Sequence, residues 1–158
     1  MSSSRDELYE SLPEPAIDIV NLRVRRGGHV ALDDVTLRVA AGAITGLLGP
    51  SGCGKTTLMR SVVGTQIVNG GSVTVLGHPA GSPELRHRVG YVTQDATIYG
   101  DLRVIDNVRY FAALYGSSPS DIDEAITAVG LDNHRKALAV NLSGGQRTRV
   151  PLACALVA

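Results

Sequence analysis

At 158 residues the chain has the size of one domain, long enough to bury a core. Its 15 basic and 15 acidic residues give a formal net charge of zero, so it lacks the basic footprint of a nucleic-acid binder. No apolar run approaches the roughly 18 residues of a membrane span, and Cys53 and Cys154 lack the spacing of a disulfide or metal framework, which suits a reducing cytosol.

Residues 1–15 are rich in Ser, Glu and Pro without the apolar h-region of a signal peptide, and read as a mobile lead segment. Ile17, Ile19, Leu22 and Val24 then give a roughly alternating strand, closed by Gly27-Gly28. Val35, Leu37 and Val39 give a second, stopped at Ala41-Gly42. Ala43 to Leu48 is a near-continuous apolar run, the pattern of a strand buried on both faces. A glycine-rich loop follows, then a helix from about Lys55 to Val63 with Gly64 as its stop. Val73 and Val75 mark another strand, and Ser82-Pro83-Glu84 opens a short helix. Val89 to Thr93 reads as a further strand. From about residue 96 the texture turns helical. Val104, Val108, Phe111, Ala112 and Tyr115 recur at helical spacing up to Gly116, and a second helix runs from Pro119 through Ile122, Ile126 and Val129.

The glycine-rich loop, Gly49-Pro50-Ser51-Gly52-Cys53-Gly54-Lys55-Thr56, matches G-x-x-x-x-G-K-[ST] at every fixed position. Glycines let successive backbone N–H groups turn toward phosphate oxygens, and the next helix adds its positive end. Lys55 supplies charge for the β- and γ-phosphates, the Thr56 hydroxyl can ligate Mg²⁺, and Thr57 follows within the same helix start. Cys53 fills a free position of the pattern and reads as a tolerated small residue.

Asn141-Leu142-Ser143-Gly144-Gly145-Gln146 precedes a last helix that carries Arg147, Val150, Leu152, Ala153 and Leu156. Ser143 can cap it, and the glycines leave bare backbone for a ligand. On these residues alone it is equally an ordinary capped helix. Pro151, two turns in, removes a backbone hydrogen bond and predicts a kink or an early end near Arg147.

Leu142 to Gln146 resembles the signature motif of ABC ATPases and follows the phosphate loop at a similar spacing. Between them, Gly90-Tyr91-Val92-Thr93-Gln94 resembles that family's Q-loop. The resemblance runs from about Ile17 to the end, and the phrases around Thr45–Pro50 and Tyr91–Gln94 are similar to bacterial drug-exporter subunits. It implies ATP and Mg²⁺ as ligands, Gln94 with Thr56 at the metal, and a membrane-spanning permease as partner at the cytoplasmic face. It also implies a homodimer in which Ser143, Gly144, Gly145 and Gln146 of one subunit cap the ATP held by the other.

Arg26 stands where the family places an adenine-stacking aromatic; it can stack on the base itself or be a solvated strand-end arginine. The 158 residues stop before the acidic strand and the switch histidine of the family, so no catalytic residue is assigned. His29, His78, His87 and His134 all precede the signature and read as surface residues. The expected architecture is a P-loop α/β core with an antiparallel β-subdomain and a helical subdomain at about 96–150, truncated in the core sheet. The expected role is that of the ATP-binding subunit of an ABC transporter, hydrolysing ATP in an intact relative. A non-hydrolysing regulatory or truncated nucleotide binder is one alternative, and a soluble ABC ATPase acting on nucleic acid or ribosomes another. Neutral charge and the single motif set weigh against the latter.

Overall fold

The computed structural model describes residues 14–93 and 98–158, which fall into two compact units divided between Leu85 and Arg86. The first holds four antiparallel strands, β1 (Pro15–Arg26), β2 (His29–Ala40), β3 (Gly70–Val75) and β4 (His78–Pro79), in the order β2-β1-β3-β4. A two-residue turn at Gly27-Gly28 joins β1 to β2, with Arg26 opposite His29.

The apolar alternation of β1 changes phase between Ile19 and Leu22, and the β1–β2 register shifts there. Asn21 sits at the shift with φ 48°, and Asp34 on β2 has φ 55°. Asn and Asp tolerate this left-handed region better than other side chains. The two are bonded to each other, Asn21 Nδ2 donating to Asp34 Oδ1 at 2.8 Å. The shift lets Ile19, Leu22 and Val24 all face inward, where they are fully buried beside Leu32, Val73 and Val75.

Helix α1 (Lys55–Val63) follows the glycine loop and ends where its sequence predicts, at Gly64. Thr57, Leu58 and Ser61 form its buried face. The strand expected at 43–48 is absent. Ile44 and Leu48 lie open to solvent, at 105% and 94% relative exposure. A strand buried on both faces needs a ladder on each side, and no described segment pairs with these residues. The residues 89–93 likewise form no strand.

The second unit is helical: α2 (Val104–Tyr115), α3 (Pro119–Ala128), α4 (Gly144–Arg147) and α5 (Arg149–Leu156), with 3₁₀ turns at Pro83–Leu85 in the first unit and Asp132–His134 and Ala139–Asn141 in this one. Val104, Val108, Ile126, Leu131, Val150 and Ala153 are its fully buried centre. α3 starts with a reciprocal cap between Ser118 and Asp121, Pro119 filling the first helical position. The Ser118 hydroxyl and then its backbone N–H hold the Asp121 carboxyl below its ordinary range. That contribution is present above the ordinary carboxylate range and is lost as pH falls through the depressed value. Cys154 is buried in this core, and desolvation pushes its thiol up to about 12, which makes it inert. None of the helices among the described residues is long and apolar enough to cross a membrane.

The break between α4 and α5 falls at Thr148, where the sequence predicts an early end. Pro151 has no N–H to donate to the Arg147 carbonyl four residues earlier, and its ring crowds that oxygen. In Pro151→Ala the restored amide should exchange slowly with solvent and unfolding free energy should rise by roughly 1–3 kcal/mol. Rapid exchange at position 151, read by NMR, would show that something other than the proline breaks the helix.

Candidate functional site

The loop from Gly49 to Gly54 follows a segment without regular secondary structure and leads into the start of α1. Gly54 is the residue before the helix, with φ 95° and no side-chain cap. A Cβ there would lie 2.7 Å from the Ala31 carbonyl oxygen and from Leu32 Cδ2. Glycine is thus required twice over, by conformation and by the close approach of β2. With no side-chain cap, the first N–H groups of this nine-residue helix have no side-chain acceptor at Gly54.

Lys55 folds back over the loop. Its Nζ donates to the Gly49 carbonyl at 2.7 Å and to the Pro50 carbonyl at 2.6 Å, with Cys53 Sγ at 3.6 Å. The ammonium is therefore bonded to its own loop, held by groups that water or a phosphate oxygen can replace. Ser51, Gly52, Cys53 and Thr56 are exposed, and Thr57 is buried. One exposed hydroxyl suits Mg²⁺, which keeps most of its shell as water and phosphate oxygens and takes only one or two ligands from protein. No cluster of three His, Cys, Asp or Glu side chains fit to hold a metal occurs among the described residues. Gln94 lies outside the described residues. Arg26 closes β1 and is exposed.

In the second unit, Ser143 caps α4 reciprocally with Gln146: Gln146 N–H donates to Ser143 Oγ at 3.3 Å, and Ser143 N–H to Gln146 Oε1 at 3.0 Å. Thr148 Oγ1 and Arg149 Nε both donate to the Gly145 carbonyl, at 3.0 and 3.2 Å. A Cβ added at Gly144 or Gly145 would meet nothing within 4 Å, and neither has positive φ. Nothing inside this unit demands glycine at either position. Gly90, by contrast, is pressed on α5, since a Cβ there would lie 2.2 Å from the Ala155 carbonyl oxygen.

Two side chains that the motifs do not reveal shape this unit. Fully buried Asn107 accepts from Tyr99 N–H at 2.8 Å and donates to the Tyr99 and Arg103 carbonyls, fastening the segment that leads into α2. His134 corrects the surface reading: it is half-buried, and its Nε2 lies 2.8 Å from Gln146 Nε2. The two are 12 residues apart in sequence, so no local pattern links them.

The family model for ABC transporters matches residues 32–158. The chain belongs to that family. It is 37% identical over 156 residues to the Nod factor export ATP-binding protein I of Cupriavidus pinatubonensis, covering 92% of this chain and 48% of that one. It is 38% identical over 146 residues to the sulfate/thiosulfate import ATP-binding protein CysA of Nocardia farcinica, covering 89% and 44%. The chain thus spans about half the length of these curated relatives. Among solved structures it is similar to cbiO1 from Clostridium perfringens, part of the ABC transporter complex cbiONQ. The TM-score is 0.80 and identity 25%, with 92% of this chain and 62% of that one covered. The P-loop NTPase fold class expected from the sequence is therefore established by likeness, although the strand at 43–48 is not formed.

Proposed function

We propose that this chain is the nucleotide-binding portion of an ABC transporter subunit and holds ATP by its phosphates in the Gly49–Thr57 loop. The observation that carries the reading is Lys55, whose ammonium is gathered by two loop carbonyls at the mouth of an uncapped helix start. An incoming β- or γ-phosphate takes the place of those carbonyls and faces the loop N–H groups and the helix dipole. Thr56 would hold Mg²⁺ against the phosphates, with Gln94 as its second protein ligand. The metal supplies charge neutralisation to the triphosphate when bound. Arg26 would lie against the adenine.

Ser143, Gly144, Gly145 and Gln146 would meet ATP held by a second copy of the chain across a two-fold homodimer. Supporting this is the openness of both glycines: with no internal need for glycine, an approach from outside explains the bare backbone. In an intact relative, hydrolysis would drive a membrane-spanning permease from the cytoplasmic side. Relatives named for export and for import both match at similar identity, and the reading covers either direction.

Competition against a fluorescent ATP analogue tests the phosphate assignment. ATP and ADP should displace it, whereas AMP, lacking the β- and γ-phosphates that Lys55 contacts, should compete at least about 10-fold more weakly. Equal displacement by AMP would sink the phosphate-loop assignment.

A further inference from the structure

The bond between His134 and Gln146 has a direction set by the rest of the amide. Gln146 Oε1 already accepts from Ser143 N–H at 3.0 Å, so the Nε2 end can only donate. His134 Nε2, 2.8 Å away, must then accept, with the ring proton on Nδ1. The Gln146 side chain is thus held at both ends. One end caps Ser143, and the other is anchored on His134, 12 residues before Gln146 in the chain.

We propose that His134 is a positioning residue for the Ser143–Gln146 turn. By fixing the Gln146 amide it keeps the reciprocal cap closed, and so holds the Gly144-Gly145 backbone in one conformation. Backbone bonds from Arg147 N–H to the Ser143 carbonyl at 2.8 Å and from Thr148 N–H to the Gly144 carbonyl at 3.0 Å set the helical turn. Its glycines have no side chains to pack, and Thr148 and Arg149 fasten the Gly145 carbonyl, which leaves Gln146 Oε1 to hold the Ser143 N–H at the open start. A glutamine free at its far end gives up rotamer freedom for a single bond; anchoring on imidazole removes most of that penalty before the cap forms. The consequence for nucleotide rests on the signature reading above, and the positioning itself does not.

Two readouts on the full chain separate these. In His134→Ala the Ser143 and Gln146 amides should exchange with solvent about five-fold faster, the factor a lost cap implies. The Leu131 and Ala137 amides, which bond to Ile126 and His134 backbone carbonyls, should keep wild-type exchange. His134→Gln, which retains an acceptor, should restore the first pair. Association driven by Mg·ATP should weaken in His134→Ala by about the same factor and recover in His134→Gln. Unchanged exchange at Ser143 and Gln146, or equal loss in both variants, overturns the proposal. Altered exchange with unaltered association would leave His134 as the anchor of the turn and overturn the contact of that turn with nucleotide. Should the wild-type chain bind no ATP, the phosphate-loop reading fails and exchange alone decides the role of His134.

Discussion

Lys55→Ala should weaken ATP binding by roughly 10-fold to 100-fold while leaving the fold intact. Hydrogen bonds to charged groups contribute about 1.5–3 kcal/mol each, and every 1.4 kcal/mol is tenfold in affinity. The ammonium is the fixed positive charge of the loop, and before nucleotide arrives it is bonded to the Gly49 and Pro50 carbonyls. On the proposed reading, binding would exchange those carbonyls for phosphate oxygens, and the gain would be the difference between a neutral and an anionic acceptor. The same exchange explains why stability should hardly move: the two carbonyls belong to exposed loop residues and water can take over from Nζ. Titration with a fluorescent ATP analogue, beside urea unfolding, reads both quantities. Wild-type affinity in the variant would remove Lys55 from the site.

Gly64→Ala should produce the largest loss of stability among single methyl additions at the helix ends. Gly64 ends α1 in the left-handed conformation, φ 80°, and its N–H closes on the Arg60 and Ser61 carbonyls. An L side chain pays about 1–2 kcal/mol for that conformation. Its Cβ would also lie 2.2 Å from Gly81 Cα and 2.3 Å from Gly81 N. Those are backbone atoms that cannot swing aside, and overpacking of this kind costs typically 1–3 kcal/mol more. The sum, ~2–5 kcal/mol, is a large part of the 5–15 kcal/mol that holds a domain together. Gly116 provides the control. It ends α2 at φ 75°, yet a Cβ there would meet nothing within 4 Å, so Gly116→Ala should cost only the conformational ~1–2 kcal/mol. Urea midpoints of the two variants should differ accordingly, and equal midpoints would show that the Gly64–Gly81 approach is not a constraint.

Where the sequence was informative, the reason was local. Lys55–Val63 reads as a helix that follows the glycine loop and stops at Gly64, and the structure ends it there with Gly64 in the left-handed conformation. β1 is legible through its alternation, including the break in phase that Asn21 accommodates. Pro151 shortens α4 for a reason contained in its own ring. The run from Ala43 to Leu48 predicts a strand and forms none, because a strand is a property of pairs: its apolar residues predict burial, but the ladder must come from elsewhere, and Ile44 and Leu48 stay open. The short helix at Ser82 condensed to one 3₁₀ turn, Pro83–Leu85. His134 was invisible for the opposite reason. Its partner is distant in sequence, and a lone histidine carries no period or motif. The openness of Gly144 and Gly145 could not be foreseen either, since the letters do not say whether a glycine is demanded from inside or outside the unit.

Backbone amide NMR of the chain titrated with Mg·ATP tests phosphate binding by the loop most directly. Saturable shifts centred on the amides from Gly49 to Thr57, much reduced with AMP, are the predicted result. Saturable binding that leaves those amides unmoved, or no binding by a folded chain, would contradict it.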